Sequence, residues 1–126
     1  MNEAIKNKRG KQLLLTPPIE IEKAIIIRKA AAHEFGISEV DIQSSCRKQY
    51  ICPARQIAIY LTKKLTMLTL KKIGEMYNNR DHTTVIHSCD TAQDRIDTDQ
   101  YFKQRVEAIE LAAKEAIKKK QVEIAL

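Results

Sequence analysis

The stretch "NNRDHTTVIHS", residues 78–88, holds two Asn, one Arg, one Asp, two His and three hydroxyl side chains, without Gly or Pro. Apolar residues recur from there at i, i+4, i+7 and i+11, namely Val85, Cys89, Ala92 and Ile96. This spacing predicts a helix over 82–97 whose first turn carries short, directional hydrogen-bonding groups. Such a turn is typical of an active site, a metal site or a surface that reads DNA bases.

The residues upstream predict a second helix joined to the first by a tight turn. "LKKIGEMY", residues 70–77, follows Thr69, which is a good N-cap, and the two Asn residues at 78 and 79 end it. A helix, a polar turn at 78–81 and another helix have the layout of a helix-turn-helix. In that motif the second helix lies in the DNA major groove.

The rest of the chain also predicts helices. Gly and Pro number six together and aromatic residues make up 5% of the chain, a composition that favours helices over a β-sandwich or barrel. Caps and apolar spacing predict four more helices: 19–35 with Gly36 as its C-cap, a short one opened by 38–41, 53–67 and 100–119. We therefore expect an all-α fold with a flexible basic tail (1–18), one helix-turn-helix domain (19–97) and a C-terminal helical extension (98–126).

Positive charge is concentrated in one segment. The chain has a net charge of +6, but residues 46–80 hold eight Lys and Arg against one Glu, a net +7. Residues 81–100 hold one Arg against five Asp, a net −4. A patch of this kind favours a polyanionic partner, and a solvated basic face is the plain alternative.

The sequence has no membrane or secretion signal that we can identify. No apolar run approaches the roughly 18 residues that a membrane span needs, the N-terminus lacks an apolar signal core, and the three Cys are odd in number. We expect a cytoplasmic protein and no membrane partner. The stretch "AIIIRKAAA", residues 24–32, would suit a membrane surface, but the core needs the same apolar stripe.

Catalytic and metal chemistry fit the residues poorly. The three glycines are isolated, which excludes a phosphate-binding G-x-x-x-x-G-K-[ST] loop, and side chains on one helical turn diverge instead of converging on a substrate. His82 and His87 lack the i, i+4 spacing of helical metal ligands, and Cys89 lies on the apolar stripe. We expect no enzyme activity, no cofactor and no metal.

DNA recognition accounts for more of the residues. A Thr methyl contacts a thymine methyl, His donates to guanine, and Asp accepts from the cytosine amino group. Arg80 and the basic segment would hold phosphates and fix the register. Asp81 has a second interpretation, as an N-cap that accepts backbone N–H groups. The few aromatic residues and the absence of Trp argue against stacking on single strands.

The residues also support a resemblance to a known family. "ARQIAIYLTKKLTMLTLKKIGEMYNNRDHTTVIHS", residues 54–88, resembles the C-terminal DNA-binding domain of the bacterial replication initiator DnaA. "RDHTTVIHS" resembles the family signature, "ARQIAIYL" resembles the preceding helix, and the likeness extends over about 19–96. The resemblance implies a helix-turn-helix of the Trp-repressor type that binds double-stranded DNA.

The resemblance also implies roles for individual residues. The residues implied to contact bases are Asp81, His82, Thr83 and Thr84 in the major groove and Arg47 in the adjacent minor groove. Those implied near the DNA backbone or groove wall are Arg55, Gln56, Lys63, Leu70 and Lys71, to which we add Arg80 and His87. An Arg on a loop suits the minor groove, where negative potential concentrates.

Three departures from the family limit what is carried over. The family's ATPase and oligomerisation regions are not present in these residues, the segment after His87 is acidic, and Ala54 separates Pro53 from Arg55. We expect a stand-alone, sequence-specific DNA binder at DnaA-box-like sites that regulates replication initiation or transcription without ATPase activity. Its partner besides DNA would be the full-length initiator or a second copy of the chain. The alternatives are a mobile-element accessory factor or repressor, and a protein-interaction module that does not bind DNA.

Overall fold

The computed structural model describes residues 18–125, which form six helices. In chain order these are α1 (Pro18–Phe35), α2 (Glu39–Gln43), α3 (Cys52–Leu65), α4 (Leu70–Met76), α5 (His82–Thr98) and α6 (Gln100–Ala125). The predicted all-α fold is confirmed. The expected tail at 1–18 lies almost wholly outside the described residues.

Local sequence explains where the short elements begin and end. Gly36 ends α1 with a φ of 64°, and the Ile37 N–H donates back to the Ala32 carbonyl at 3.0 Å, as in a glycine-terminated helix. Ser38 caps α2 by accepting from the Asp41 N–H at 3.1 Å. Both caps were predicted from the sequence.

Helix α3 forms the centre of the core, with α1 and α5 packed against it and α6 against α1 and α5. Ile57, Ala58 and Leu61 of α3 are fully buried. The predicted stripe of α6 is confirmed, because all of its members are buried: Phe102, Val106, Ile109, Ala113 and Ile117. Helix α6 therefore belongs to the same core as the helices before it.

Two predicted helix ends were wrong. Helix α3 ends at Leu65 instead of near Met67, because Thr66 is extended and Leu68 packs on the core from the connecting segment. Helix α6 continues to Ala125 instead of ending at Lys119. The six residues 120–125, "KQVEIA", include no Gly or Pro to stop it.

A buried carboxylate fastens α1 to the segment that leads into α4. Glu20 is 5% exposed, and its carboxylate accepts from the Met67 N–H at 2.6 Å and pairs with Lys23 Nζ at 2.9 Å. Burial raises the pKa of Glu20, but the hydrogen bonds from Lys23 and the Met67 N–H together lower that pKa by a larger amount. The pKa therefore lies below its usual value. The ionised form is therefore the one that stabilises the fold.

Glu20→Gln is expected to lower the free energy of unfolding by about 1.5 kcal/mol at pH 7, because it weakens hydrogen bonds to a charged group. A lowered folded-state pKa means that this stabilisation is present above the unfolded pKa and disappears as the pH falls through the folded one. Urea unfolding at pH 7 and pH 3 measures it, with Glu22→Gln on the same helix as the control. If Glu20→Gln lowered the free energy of unfolding by the same amount at both pH values, the stabilising role of the ionised Glu20 carboxylate would be contradicted.

The apolar stripe of residues 24–32 is used within the core. Ala24, Ile27 and Ala31 are buried against the other helices. Among residues 18–125, no helix combines the length and the apolar composition that a membrane crossing requires.

Candidate nucleic-acid interface

The turn between α4 and α5 depends on three residues with unusual backbone demands. Asn78 and Asn79 both have positive φ, 63° and 51°, a region that Asn tolerates better than most residues. The Arg80 N–H then donates to the Gly74 carbonyl at 2.9 Å, and a Cβ on Gly74 would overlap the Arg80 carbonyl oxygen. Gly74 therefore allows α4 and the turn to approach closely enough to form the helix-turn-helix.

Asp81 is the N-cap of α5. It has an extended backbone (φ −64°, ψ 152°), and its carboxylate accepts from the Thr83 N–H at 3.3 Å and from the Thr83 hydroxyl. These bonds from Thr83 hold the pKa of Asp81 below its usual range. The other carboxylate oxygen lies 3.3 Å from His82 Nδ1. The cap interpretation is confirmed, and a direct base contact by Asp81 stays a prediction.

The first turns of α5 present polar side chains to solvent. The side chain of His82 is 60% exposed, and Thr83, Thr84 and His87 are also exposed. Val85, between them, is fully buried against the core. One face of the helix thus holds it in place while the N-terminal tip projects outward. We call residues 82–84 the α5 tip.

The start of α4 lies beside this tip. Thr69 caps α4 by accepting from the Lys72 N–H at 3.1 Å, as predicted. An open depression separates the two helix starts and is lined by residues of both: Thr69, Leu70, Lys71, Glu75, Asn79, Arg80, Asp81 and His82. Leu70 is partly buried at its wall, and Lys71 is exposed.

The guanidinium groups of Arg55 and Arg80 donate to carbonyls of the protein, although both residues were predicted to lie near the DNA backbone. Arg55 is 5% exposed, and its guanidinium donates to the Ile42 carbonyl at 2.8 Å and the Asp41 carbonyl at 3.1 Å. Arg80 donates to the carbonyls of Tyr77 at 2.6 Å and Ser44 at 2.9 Å, with Gln43 at 3.5 Å.

The physical reason is the C-terminus of α2. A helix end leaves carbonyls without intrahelical partners and carries partial negative charge, which cations satisfy. Burial, and then repulsion from Arg55, lowers the pKa of Arg80. The guanidinium groups of Arg55 and Arg80 therefore form an arginine clamp: Arg55 holds the end of α2 against α3, and Arg80 holds the start of the loop at 44–51 against the turn of the helix-turn-helix.

The remaining predicted backbone contacts differ in exposure. Lys63 and Arg47 are exposed, Gln56 is partly buried, and His87 is exposed on the turn after the α5 tip. Of the eight cations in 46–80, Arg55 and Arg80 are in the clamp, Lys64 pairs with Glu110 at 3.0 Å, and Lys72 pairs with Glu75 at 3.6 Å. The remaining four cations, Arg47, Lys48, Lys63 and Lys71, make no ion pair within residues 18–125.

The metal alternative gains no support from the geometry. Within the described part of the chain, no three His, Cys, Asp or Glu side chains come together as a metal site would require. Cys89 is half-buried and packs against the core, and burial raises the pKa of its thiol. This agrees with its predicted role as a small apolar residue.

Sequence reasoning missed the arginine clamp and the need for glycine at position 74. The clamp depends on the approach of Arg55 and Arg80 to the end of α2, which is distant in sequence, and the glycine depends on how closely the turn at Arg80 folds back on α4. One local signal was available for the clamp, since α2 ends without a glycine or a cation of its own in its last turn.

Comparisons with known proteins agree with this geometry. The family model described as the bacterial dnaA protein helix-turn-helix matches residues 25–92. The chromosomal replication initiator protein DnaA of a Picosynechococcus strain is 38% identical over 98 residues, 76% of this chain and 22% of that protein. DnaA of Crocosphaera subtropica is 43% identical over 79 residues, 61% of this chain and 17% of that protein.

A solved structure has the same fold. The crystal structure of a DNA replication initiation factor superposes with a TM-score of 0.70 at 30% identity, over 79% of this chain and 30% of that one. The chain thus spans only about a fifth of the length of the curated relatives it matches, 22% and 20% in two of them.

Proposed function

The chain belongs to the bacterial DnaA helix-turn-helix family, and we propose that it binds double-stranded DNA sequence-specifically by inserting the α5 tip into the major groove. The observation that carries the proposal is the placement of His82, Thr83 and Thr84. They project from a helix that Val85 anchors in the core, and the exposed Lys71 lines the same depression as His82. Short donors and acceptors on a helix N-terminus match the groups that base edges offer.

The geometry supports the following set of contacts. His82, Thr83 and Thr84 contact bases, and Asp81 fixes the start of the helix and accepts from a base where one is in reach. Arg47, on the loop that the clamp holds, enters the adjacent minor groove. Lys63, Lys71 and Lys48 neutralise phosphates, while Gln56, Leu70 and His87 line the groove wall. Arg55 and Arg80 act through the clamp.

The finer biological role rests on the family. We propose that the protein binds DnaA-box-like sites in the cytoplasm and regulates replication initiation or transcription without an ATPase activity of its own. Competition with the full-length initiator at shared sites, or cooperation with it, follows from a shared target. A role as a mobile-element repressor uses the same DNA contact.

Fluorescence anisotropy tests the function directly. A duplex selected from a random pool and a scrambled duplex are titrated with protein across a range of salt. Three phosphate-neutralising cations, Lys48, Lys63 and Lys71, predict a slope of log K against log salt of about −2.7. A protein-interaction module, the alternative suggested by the exposed Asp90 and Asp94 on α5, would show no salt-dependent DNA binding.

Lys63→Ala is expected to weaken binding to selected and scrambled duplexes equally and to reduce the magnitude of the salt slope by about 0.9, because it removes one phosphate contact. Lys64→Ala is the matched control, since Lys64 already pairs with Glu110 at 3.0 Å. Anisotropy at three salt concentrations measures both. If Lys64→Ala reduced the salt slope more than Lys63→Ala does, the DNA would contact the face of α3 that carries Lys64 instead of the face that carries Lys63.

Arg80→Lys separates the clamp from a phosphate contact. Lysine keeps the charge but lacks the planar fork that reaches several carbonyls. Arg80→Lys and Arg80→Ala are therefore both expected to lower the free energy of unfolding by about 2 kcal/mol and to weaken DNA binding to a similar extent. Urea unfolding and anisotropy measure the two effects. Full stability and near wild-type affinity for Arg80→Lys alone would assign Arg80 to the phosphates instead.

A further inference from the structure

Four of the six aromatic residues of the chain line a single surface cavity. They are Phe35, Tyr50, Tyr101 and Phe102, and the cavity has a volume of about 220 Å³. It lies where the end of α1, the loop before α3, the end of α5 and the start of α6 meet. We call it the aromatic pocket. The proposed contacts of the α5 tip do not use it.

The inner rings of the aromatic pocket lie under arginines. Arg95 Cζ is 4.1 Å from the centre of the Phe102 ring, and Arg105 Cζ is 3.8 Å from that of Phe35. Arg105 is held in turn by the Glu34 carbonyl at 3.2 Å and the Glu34 carboxylate at 3.6 Å. Arg95 Nη2 lies 3.7 Å from Asp99 Oδ2, so each guanidinium group is held by a carboxylate as a flat surface over its ring.

The outer rings are open to solvent. Tyr50 is 55% exposed and Tyr101 is 70% exposed, so more than half of each residue is open to solvent. Lys48 Nζ lies 6.0 Å from the centre of the Tyr50 ring and adds a cation at the rim. Flat aromatic and guanidinium surfaces beside cations are what unpaired nucleobases and their phosphates bind. The low aromatic content of the chain argued against such a platform, but most of its aromatic residues converge here.

The loop at 44–51 connects the aromatic pocket to the proposed duplex site. Arg80 holds the Ser44 carbonyl at 2.9 Å, and Tyr50 follows six residues later. Six residues span at most about 20–22 Å, which corresponds to about six nucleotides of a DNA strand at 3.4 Å each. A strand that continues beyond the duplex contacted by Arg47 can therefore reach the aromatic pocket.

We propose that the aromatic pocket binds an unpaired nucleotide in a single-stranded DNA segment that flanks the duplex site. Tyr101 and Tyr50 stack on its base, and Lys48, which makes no ion pair within residues 18–125, attracts its phosphate. The position of this nucleotide relative to the duplex rests on the proposed function, whereas single-strand binding by the pocket does not.

The experiment compares a blunt selected duplex with the same duplex carrying an eight-nucleotide thymidine tail, at its 3′ or its 5′ end, by fluorescence anisotropy at one salt concentration. Stacking of one base predicts that one of the two tails raises affinity by about 5- to 150-fold. Tyr101→Ala is expected to abolish most of this gain and leave blunt-duplex affinity unchanged, while Tyr101→Phe retains it. Leu111→Ala, exposed on the same helix outside the pocket, is the control.

Two further measurements separate the failure of this inference from that of the proposed function. If the wild-type protein binds a single-stranded thymidine 20-mer and Tyr101→Ala does not, single-strand binding by the aromatic pocket is supported even if the blunt duplex does not bind. Circular dichroism checks that each variant is folded. A wild-type protein that binds the blunt duplex but gains nothing from either tail, or a tail effect that survives Tyr101→Ala, overturns the inference and leaves the pocket to another kind of partner.

Discussion

His82→Ala is expected to lower affinity for the selected duplex by about 5- to 150-fold, the range of one base contact of 1–3 kcal/mol, while leaving scrambled-duplex affinity nearly unchanged. The side chain of His82 is 60% exposed at the start of α5 and is not part of the core cluster, so its loss is expected to remove base reading without unfolding the domain. Anisotropy with both duplexes measures the ratio of the two affinities.

Two variants serve as controls for His82→Ala. Thr83→Ala is expected to relax specificity as well, and it also removes the hydroxyl that donates to Asp81, so it loosens the cap of α5. Lys63→Ala lowers both affinities together. Equal losses on selected and scrambled duplexes for His82→Ala would contradict base reading by this residue.

Gly74→Ala is expected to destabilise the protein by about 3 kcal/mol or more, which is at the upper end for overpacking. The new methyl group would overlap the Arg80 carbonyl oxygen, which is backbone and has little freedom to move, and it would already be in van der Waals contact with Val85 Cγ2 at 3.5 Å. The turn must open, so the 2.9 Å bond from the Arg80 N–H to Gly74 is strained as well. Urea unfolding measures the loss.

Glu75→Ala is the matched control for Gly74→Ala, because Glu75 is the exposed neighbour on α4, and a change within about 0.5 kcal/mol is expected. DNA affinity of any folded Gly74→Ala protein should fall on all duplexes, since the α5 tip no longer keeps its position relative to α4. Wild-type stability of Gly74→Ala would show that α4 and the turn do not pack as closely as described.

Much of the fold could be predicted because the signals are local. Gly36, Ser38, Thr69 and Asp81 end or cap helices through contacts within a few residues. The apolar stripes of α5 and α6 follow from helical spacing alone. The end of α3 was harder to place, because Leu68 remains buried after the helix has ended.

The candidate site was predicted less completely. The α5 tip follows from the residues of one turn and the face that Val85 leaves free. The clamp depends on the distance between Arg80 and the end of α2, 36 residues earlier at Ser44, and an Arg in a basic segment looks the same whether it faces a phosphate or a buried carbonyl. The aromatic pocket likewise joins residues from four separate segments of the chain.

The central claim is that the α5 tip reads base edges in the major groove, and replacing single purines of the selected duplex by their 7-deaza analogues tests it most directly. This change removes only the N7 acceptor, which lies in the major groove. We predict that wild-type affinity falls at one or two positions, and that at one of them the loss disappears in His82→Ala, giving a coupling in a double-mutant cycle. Wild-type affinity that no 7-deaza substitution alters, or losses that persist unchanged in His82→Ala, would contradict the account.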